Sequence, residues 1–160
     1  MLSISIICTG KLKESFWREA CAEYAKRMGA YCSFKIIELP ESKLPEKPNA
    51  AQINAALEQE AQRIFAGIPT GASSFALCIE GKPFSSEELA DTINTCALNG
   101  QSKLAFIIGS SHGLAQSVKN AADYRISMSK MTFPHQLARV LLCEQLYRAC
   151  SINAEGKYHK

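Results

Sequence analysis

The feature that most constrains this chain is its alternation. Short, β-branched apolar runs take turns with amphipathic stretches of helical period along all 160 residues. Leu2 to Cys8 is rich in isoleucine and stops at Thr9-Gly10, which reads as a buried strand and a turn. From Glu14 to Met28 the residues Phe16, Trp17, Ala20, Cys21, Tyr24, Ala25 and Met28 share one stripe of a helix that Gly29 ends. Ser33 to Leu39 reads as a second strand. Asn49 caps a helix from Ala50 to Phe65 that turns Ile53, Ala56, Leu57, Ala61, Ile64 and Phe65 inward. Ser74 to Ile79 is a third strand, closed by Glu80-Gly81-Lys82-Pro83. Ser85 and Glu88 make a capping box for a helix from Ser86 to Leu98, with Leu89, Ile93, Cys96 and Ala97 inward. Lys103 to Ile108 and Tyr124 to Met128 are a fourth and a fifth strand, joined by a short helix from Ala115 to Ala122.

Such a pattern specifies an α/β fold: a single domain with a mostly parallel sheet and helices on both faces. The length suits one core, and no composition break marks a linker. Ligands of these sheets bind beyond the carboxyl ends of the strands, so the loops after Ile79, Ile108 and Met128 are the places to look. Pro40 to Asn49 holds three prolines and alternating charges. It is a surface excursion or a flap beside the substrate. From His135 to Cys150 the apolar residues Leu137, Val140, Leu141, Leu142, Leu146 and Ala149 surround the helix. The sheet can cover one side; a second subunit in a two-fold homodimer through this helix is expected to cover the other, the alternative being a neighbouring helix of the same chain.

Seven cysteines, an odd count with no C-x-x-C pair, fit a reducing cytosol with neither disulfides nor a metal site. No apolar run reaches the roughly 20 residues of a membrane helix. The net charge of +3 is compatible with a polyanionic partner but does not require one.

Four constellations carry chemistry. Gly109-Ser110-Ser111-His112-Gly113 follows a strand and precedes a helix, yet matches neither phosphate-loop pattern. His135 follows Pro134 at a helix start, placed to contact a substrate or accept a proton. Glu144 and Arg148 stand four apart, so they pair with each other or one of them reaches a substrate anion. Lys157-Tyr158-His159-Lys160 combines an aromatic ring, an imidazole and two cations, a set that suits RNA.

Together, Ile79-Glu80-Gly81-Lys82-Pro83, Phe106-Ile107-Ile108-Gly109, Ser129-Lys130-Met131-Thr132-Phe133-Pro134-His135, Glu144-Gln145-Leu146-Tyr147-Arg148-Ala149 and Tyr158-His159 carry a resemblance. Over essentially its whole length the chain resembles the RlmH (YbeA-type) family of 23S ribosomal RNA pseudouridine N3-methyltransferases, within the SPOUT superfamily. The resemblance implies a C-terminal trefoil knot, a cytoplasmic homodimer and S-adenosylmethionine as methyl donor. It implies donor contacts from Leu77, from Gly109 and Ser110, and from Met128, Ser129, Lys130, Met131, Thr132 and Phe133. Ser110 stands where the family usually has a second glycine. His135 or His159 is expected to handle the proton, with Arg148 and Tyr158 positioning the base or a phosphate. The modest charge points to the large subunit or assembled ribosome as substrate rather than naked RNA. Two other classes share the bare pattern: a non-enzymatic ribosome-associated binding module, and an α/β nucleotide-binding small-molecule transferase. Donor binding separates the first from an enzyme, and RNA dependence separates the second.

Overall fold

A computed structural model describes residues 1–159. In β1 (Ser3–Thr9), Ile4, Ile6 and Cys8 point to one side of the chain and Ile7 to the other, and all four are buried. A strand apolar on both sides must lie inside a sheet covered on both faces. It does so between β2 (Ser33–Leu39) and β4 (Lys103–Ile108). Beyond β4 come β3 (Ser73–Pro83) and β5 (Tyr124–Ser127), giving five strands in the order β2-β1-β4-β3-β5, every pair parallel. The sheet is thus wholly parallel, not only mostly so.

The helices divide between the faces. α1 (Ser15–Met28), α3 (Ser86–Leu98) and α5 (His135–Asn153) bury Cys21, Met28, Leu89, Ile93, Leu142, Cys143, Leu146 and Ala149 against Ile4, Ile6, Phe75 and Phe106. α2 (Ala50–Gly67) and the short α4 (Gln116–Ala121) cover the other face, where Ala61, Ile64 and Val118 meet Ile7, Ala76, Ala105 and Ile107. Phe106, Phe75 and Tyr124 stack across β4, β3 and β5, with ring centroids 4.5 and 4.4 Å apart. This aromatic row ties the carboxyl-terminal strand to the centre of the sheet. Both expected helix caps form: Asn49 accepts from the Gln52 N–H and Ser85 from the Glu88 N–H, each answered by the reciprocal side chain.

Three inward assignments are corrected. Phe16 is 57% exposed, Phe65 43%, and Ala97 is also exposed. Each lies in the first or last turn of its helix, at the edge of the stripe: Ile64 and Cys96, next to Phe65 and Ala97, take the buried positions. Phe16 instead packs on Trp17 at 4.8 Å. The segment Glu80-Gly81-Lys82-Pro83 is also corrected, because it does not close β3. It continues the strand past a register shift between Leu77 and Lys82, with Pro83 opposite Ser127. Proline is tolerated because β4 pairs with β3 only as far as Ala76, so this stretch has no neighbour on its other side.

The neighbouring helices settle part of the α5 question. α1 and α3 flank α5 on the sheet, and no residue from His135 to Ile152 is fully exposed. Leu137, Leu141, Glu144, Gln145 and Arg148 form its remaining, half-buried outer face.

Candidate active site

The outer half of β3, from Leu77 to Glu80, and the loops after β4 and β5 meet at the carboxyl edge of the sheet. With the start of α5 they enclose a cleft of about 710 Å³. Its floor is apolar: Leu77, Ile108, Leu114, Met128, Phe133 and Ala138. The loop after β4 is held by a tight turn in which the Gly113 N–H donates to the Ser110 carbonyl at 2.8 Å. Gly113 adopts a φ of +83°, a left-handed value natural to glycine. Gly109 is packed so closely under this turn that a Cβ would lie 2.2 Å from the Gly113 carbonyl oxygen. The loop after β5 is shaped by its own serines. Ser127 Oγ donates to the Ser129 carbonyl at 3.0 Å, and Ser129 Oγ accepts from the Met131 N–H at 2.9 Å. At the rim Glu80 pairs with Lys119, and that bond holds the Glu80 carboxyl below the usual carboxylate range.

Eight of the nine residues expected to touch the donor line this cleft: Leu77, Gly109, Ser110, Met128, Ser129, Met131, Thr132 and Phe133. The ninth, Lys130, is exposed and outside the lining. His135 lines the cleft too. Arg148, Tyr158 and His159 do not. They form a second cluster around Arg148, which stands thirteen residues beyond His135 on α5, about 20 Å at the rise of an α-helix, with Tyr158 and His159 packed against it from the segment after the helix.

In that cluster Arg148 and Glu144 pair as their spacing allows, Nε to Oε1 at 2.9 Å. The Tyr158 hydroxyl donates to the same carboxylate oxygen at 3.2 Å. The guanidinium carbon of Arg148 lies 4.7 Å from the Tyr158 ring centroid, and the Tyr147 ring meets that of Tyr158 at 4.7 Å. His159 bridges outward, with Nδ1 3.2 Å from Arg148 and Nε2 2.7 Å from Glu87 on α3. A neutral ring accepting at Nδ1 and donating at Nε2 satisfies both contacts. Burial, with Tyr24 and Glu144 close by, pushes the Tyr158 phenol up to about 12, and the Glu144 hydrogen bond raises Arg148. Lys160, the last member of the expected cationic tail, lies outside the described residues.

Sequence reasoning missed Cys78, Glu80 and Lys119 in the lining, and Glu60 behind it. Glu60 could have been found. It falls on the apolar stripe of α2 with Ala56, Ala61 and Ile64, and a carboxylate there needs buried partners. Among the described residues no cluster of three or more His, Cys, Asp or Glu is arranged to hold a metal, and no helix is long and apolar enough to cross a membrane.

A doubly covered parallel sheet with a cleft at its carboxyl edge, beside the start of α5, defines an α/β protein. Its family follows from comparison. The model of a family described as "Predicted SPOUT methyltransferase" matches residues 2–159, and the chain belongs to the SPOUT methyltransferase family. Two relatives bear the name "Ribosomal RNA large subunit methyltransferase H". The one from Exiguobacterium sibiricum is 48% identical and the one from Clostridium botulinum 46%, each across 99% of this chain and all of its own length. Solved structures share the fold at 15% identity. A probable methyltransferase from Bordetella pertussis has a TM-score of 0.58, covering 92% of this chain and 93% of its own. A probable methylase family protein from Haemophilus influenzae has a TM-score of 0.54, covering 99% of this chain and 70% of its own.

Proposed function

We propose that this protein is a methyltransferase of large-subunit ribosomal RNA that uses S-adenosylmethionine to methylate N3 of a pseudouridine in 23S RNA. The observation that carries the reading is the full-length match at 48% identity to a protein named as a ribosomal RNA large subunit methyltransferase. The cleft supports the donor. Its floor offers Leu77, Ile108, Met128 and Phe133 to an aromatic ring, and its two charged rim side chains, Glu80 and Lys119, neutralise each other. The net-cationic donor, a sulfonium that also carries an amino-acid zwitterion, therefore meets no unpaired lysine or arginine in the lining. Gly109, Ser110, Ser129, Met131 and Thr132 would hold its polar parts. Lys130, exposed beside them, is kept for the RNA side.

S-adenosylmethionine supplies an already activated methyl group; this chain must orient the acceptor and remove the N3 proton. In this reading His135 takes the proton, a role supported by its place in the cleft lining at the first residue of α5. A positioned base contributes roughly a hundred- to ten-thousand-fold. Arg148 is too far along the same α5, with Tyr158 and His159 packed against it, for the cluster to share that acceptor. Two copies of the chain pairing antiparallel through Leu137 and Leu141 would bring the Arg148 cluster of one to the His135 of the other. That arrangement gives the outer face of α5 a covering and makes the site composite. In it Arg148 and Tyr158 position the base or a phosphate, and His159 is the second group available for proton transfer. The homodimer, the cytoplasmic location and a C-terminal trefoil knot belong to the same reading, supported by family membership. So does the ribosome or its large subunit as substrate, since a net charge of +3 is small for naked RNA.

The test supplies methyl-labelled S-adenosylmethionine and ribosomes from a strain lacking the modification. Label should appear at one pseudouridine of 23S RNA. Label in protein, or in no RNA, refutes the reading. Gel filtration near twice 17.5 kDa is expected of the dimer; elution as a single chain would remove the composite site.

A further inference from the structure

We infer that Glu60 is a positioning residue that couples the donor loop to the loop from Pro40 to Asn49. This rests on the cleft being the S-adenosylmethionine site. Glu60 lies on α2, outside the cleft lining, and is 5% exposed. One carboxylate oxygen accepts from the Ser110 hydroxyl at 3.1 Å, and the other from the Ser42 N–H at 2.9 Å. No lysine or arginine pairs with it among the described residues, so these two neutral donors are what offset its burial. One helical turn on, Arg63 donates to the Pro40 carbonyl at 3.1 Å and to Ser42 Oγ at 3.0 Å. α2 thus grips the Pro40–Asn49 loop with one residue and, through Glu60, the turn beside Gly109.

The arrangement explains two features that the sequence left apart. A ten-residue, proline-punctuated loop is costly to hold in place, yet this one is fastened at Pro40 and Ser42. Ser110 adds a hydroxyl to a turn whose backbone alone would suffice, and that hydroxyl is spent on Glu60. A movement of Ser110 on donor binding changes one of the two bonds satisfying a buried carboxylate, and the other bond belongs to Ser42. Ordering the donor loop therefore orders the Pro40–Asn49 loop, and the coupling runs equally in reverse.

The test uses the full chain with Ser110→Ala, Glu60→Ala, Glu60→Gln and the Ser110→Ala/Glu60→Ala pair. Two quantities are read: S-adenosylmethionine affinity by calorimetry, and amide exchange across residues 40–49. Ser110→Ala removes only a hydroxyl and should fold normally. It should weaken donor binding about tenfold, the scale of one charge-assisted hydrogen bond. It should also speed exchange at Ser42, which it does not touch. The double variant should bind no more weakly than Glu60→Ala alone, because both remove the same link. Glu60→Gln should recover most of the affinity, since the serine hydroxyl can accept from an amide as well as donate to a carboxylate. Wild-type affinity and wild-type Ser42 exchange in Ser110→Ala overturn the coupling. A wild-type chain that binds no S-adenosylmethionine fails differently: it removes the donor reading, and this inference with it.

Discussion

Gly109→Ala is the smallest change that tests the architecture of the cleft. The added methyl would lie 2.2 Å from the Gly113 carbonyl oxygen, 2.4 Å from its carbon and 2.9 Å from the Leu114 nitrogen. All three are backbone atoms, so no side chain can swing away. Ordinary contact begins near 3.4 Å, so the turn must retreat by about 1 Å or β4 must bend. Overpacking of this kind costs about 1–3 kcal/mol. The turn is the softer of the two, because β4 is paired on both sides while the turn is closed by one hydrogen bond. Most of the strain should therefore appear as a displaced donor loop. Urea unfolding should report a loss of about 1–3 kcal/mol, and calorimetry a loss of S-adenosylmethionine affinity of about tenfold or more. Gly113→Ala is the comparison. Its methyl meets nothing within 4 Å, and only its positive φ is penalised, by about 1–2 kcal/mol. If Gly109→Ala unfolds and binds like the wild type, the close packing of β4 under its turn does not shape the site.

Arg139 is 2% exposed, donating to Glu38 at 2.7 Å and to the Gly10 carbonyl at 3.0 Å. Glu38→Ala strands a buried cation and should cost about 2–4 kcal/mol in urea unfolding, discounted because Glu38 is partly solvated. Arg139→Met removes the charge and orphans only one carbonyl, about 1–2 kcal/mol; the reverse order refutes the account. Alkylation at pH 8 followed by mass spectrometry should label half-buried Cys78 first, on accessibility, since burial raises its thiol as well. Burial pushes the Cys8 thiol up to about 12, and contacts with Cys21 and Cys32 raise Cys143 and Cys150. Labelling of Cys143 as fast as Cys78 in the native protein would contradict this. The Tyr158 phenol, at about 12 when folded against about 10 unfolded, keeps a proton that the unfolded chain releases. Its contribution to stability is complete below pH 10 and is lost as pH rises from 10 to 12. Tyr158→Phe should flatten the fall of the unfolding free energy over that window, and an unchanged slope would refute the shift.

The sequence made the alternation visible because each strand and helix writes its period in consecutive residues. Ile4, Ile6 and Ile7 can be read as buried on two faces without knowing what covers them. The loops that line the cleft were legible for the same reason: glycine and small polar residues at strand ends signal close backbone approach wherever the strands lie. What failed depended on neighbours distant in sequence. Glu80 to Pro83 has the composition of a turn and extends as a strand because β5 is there to receive it. Phe16 and Phe65 fall near the edge of their helical stripes, and which edge residue is covered depends on the neighbouring elements. His135 and Arg148 belong to one helix and looked like one site. Helical rise alone separates them, and it was available from the sequence.

α5 also behaves as a gauge. Each residue along it adds about 1.5 Å and 100°. One residue inserted between His135 and Arg148 would turn Leu146, Ala149 and Cys150 out of the core and carry Arg148 away from its outward bearing. Side chains along this helix can change wherever volume and charge permit, but its residue count cannot change without losing the core packing and the spacing between the two clusters in one stroke.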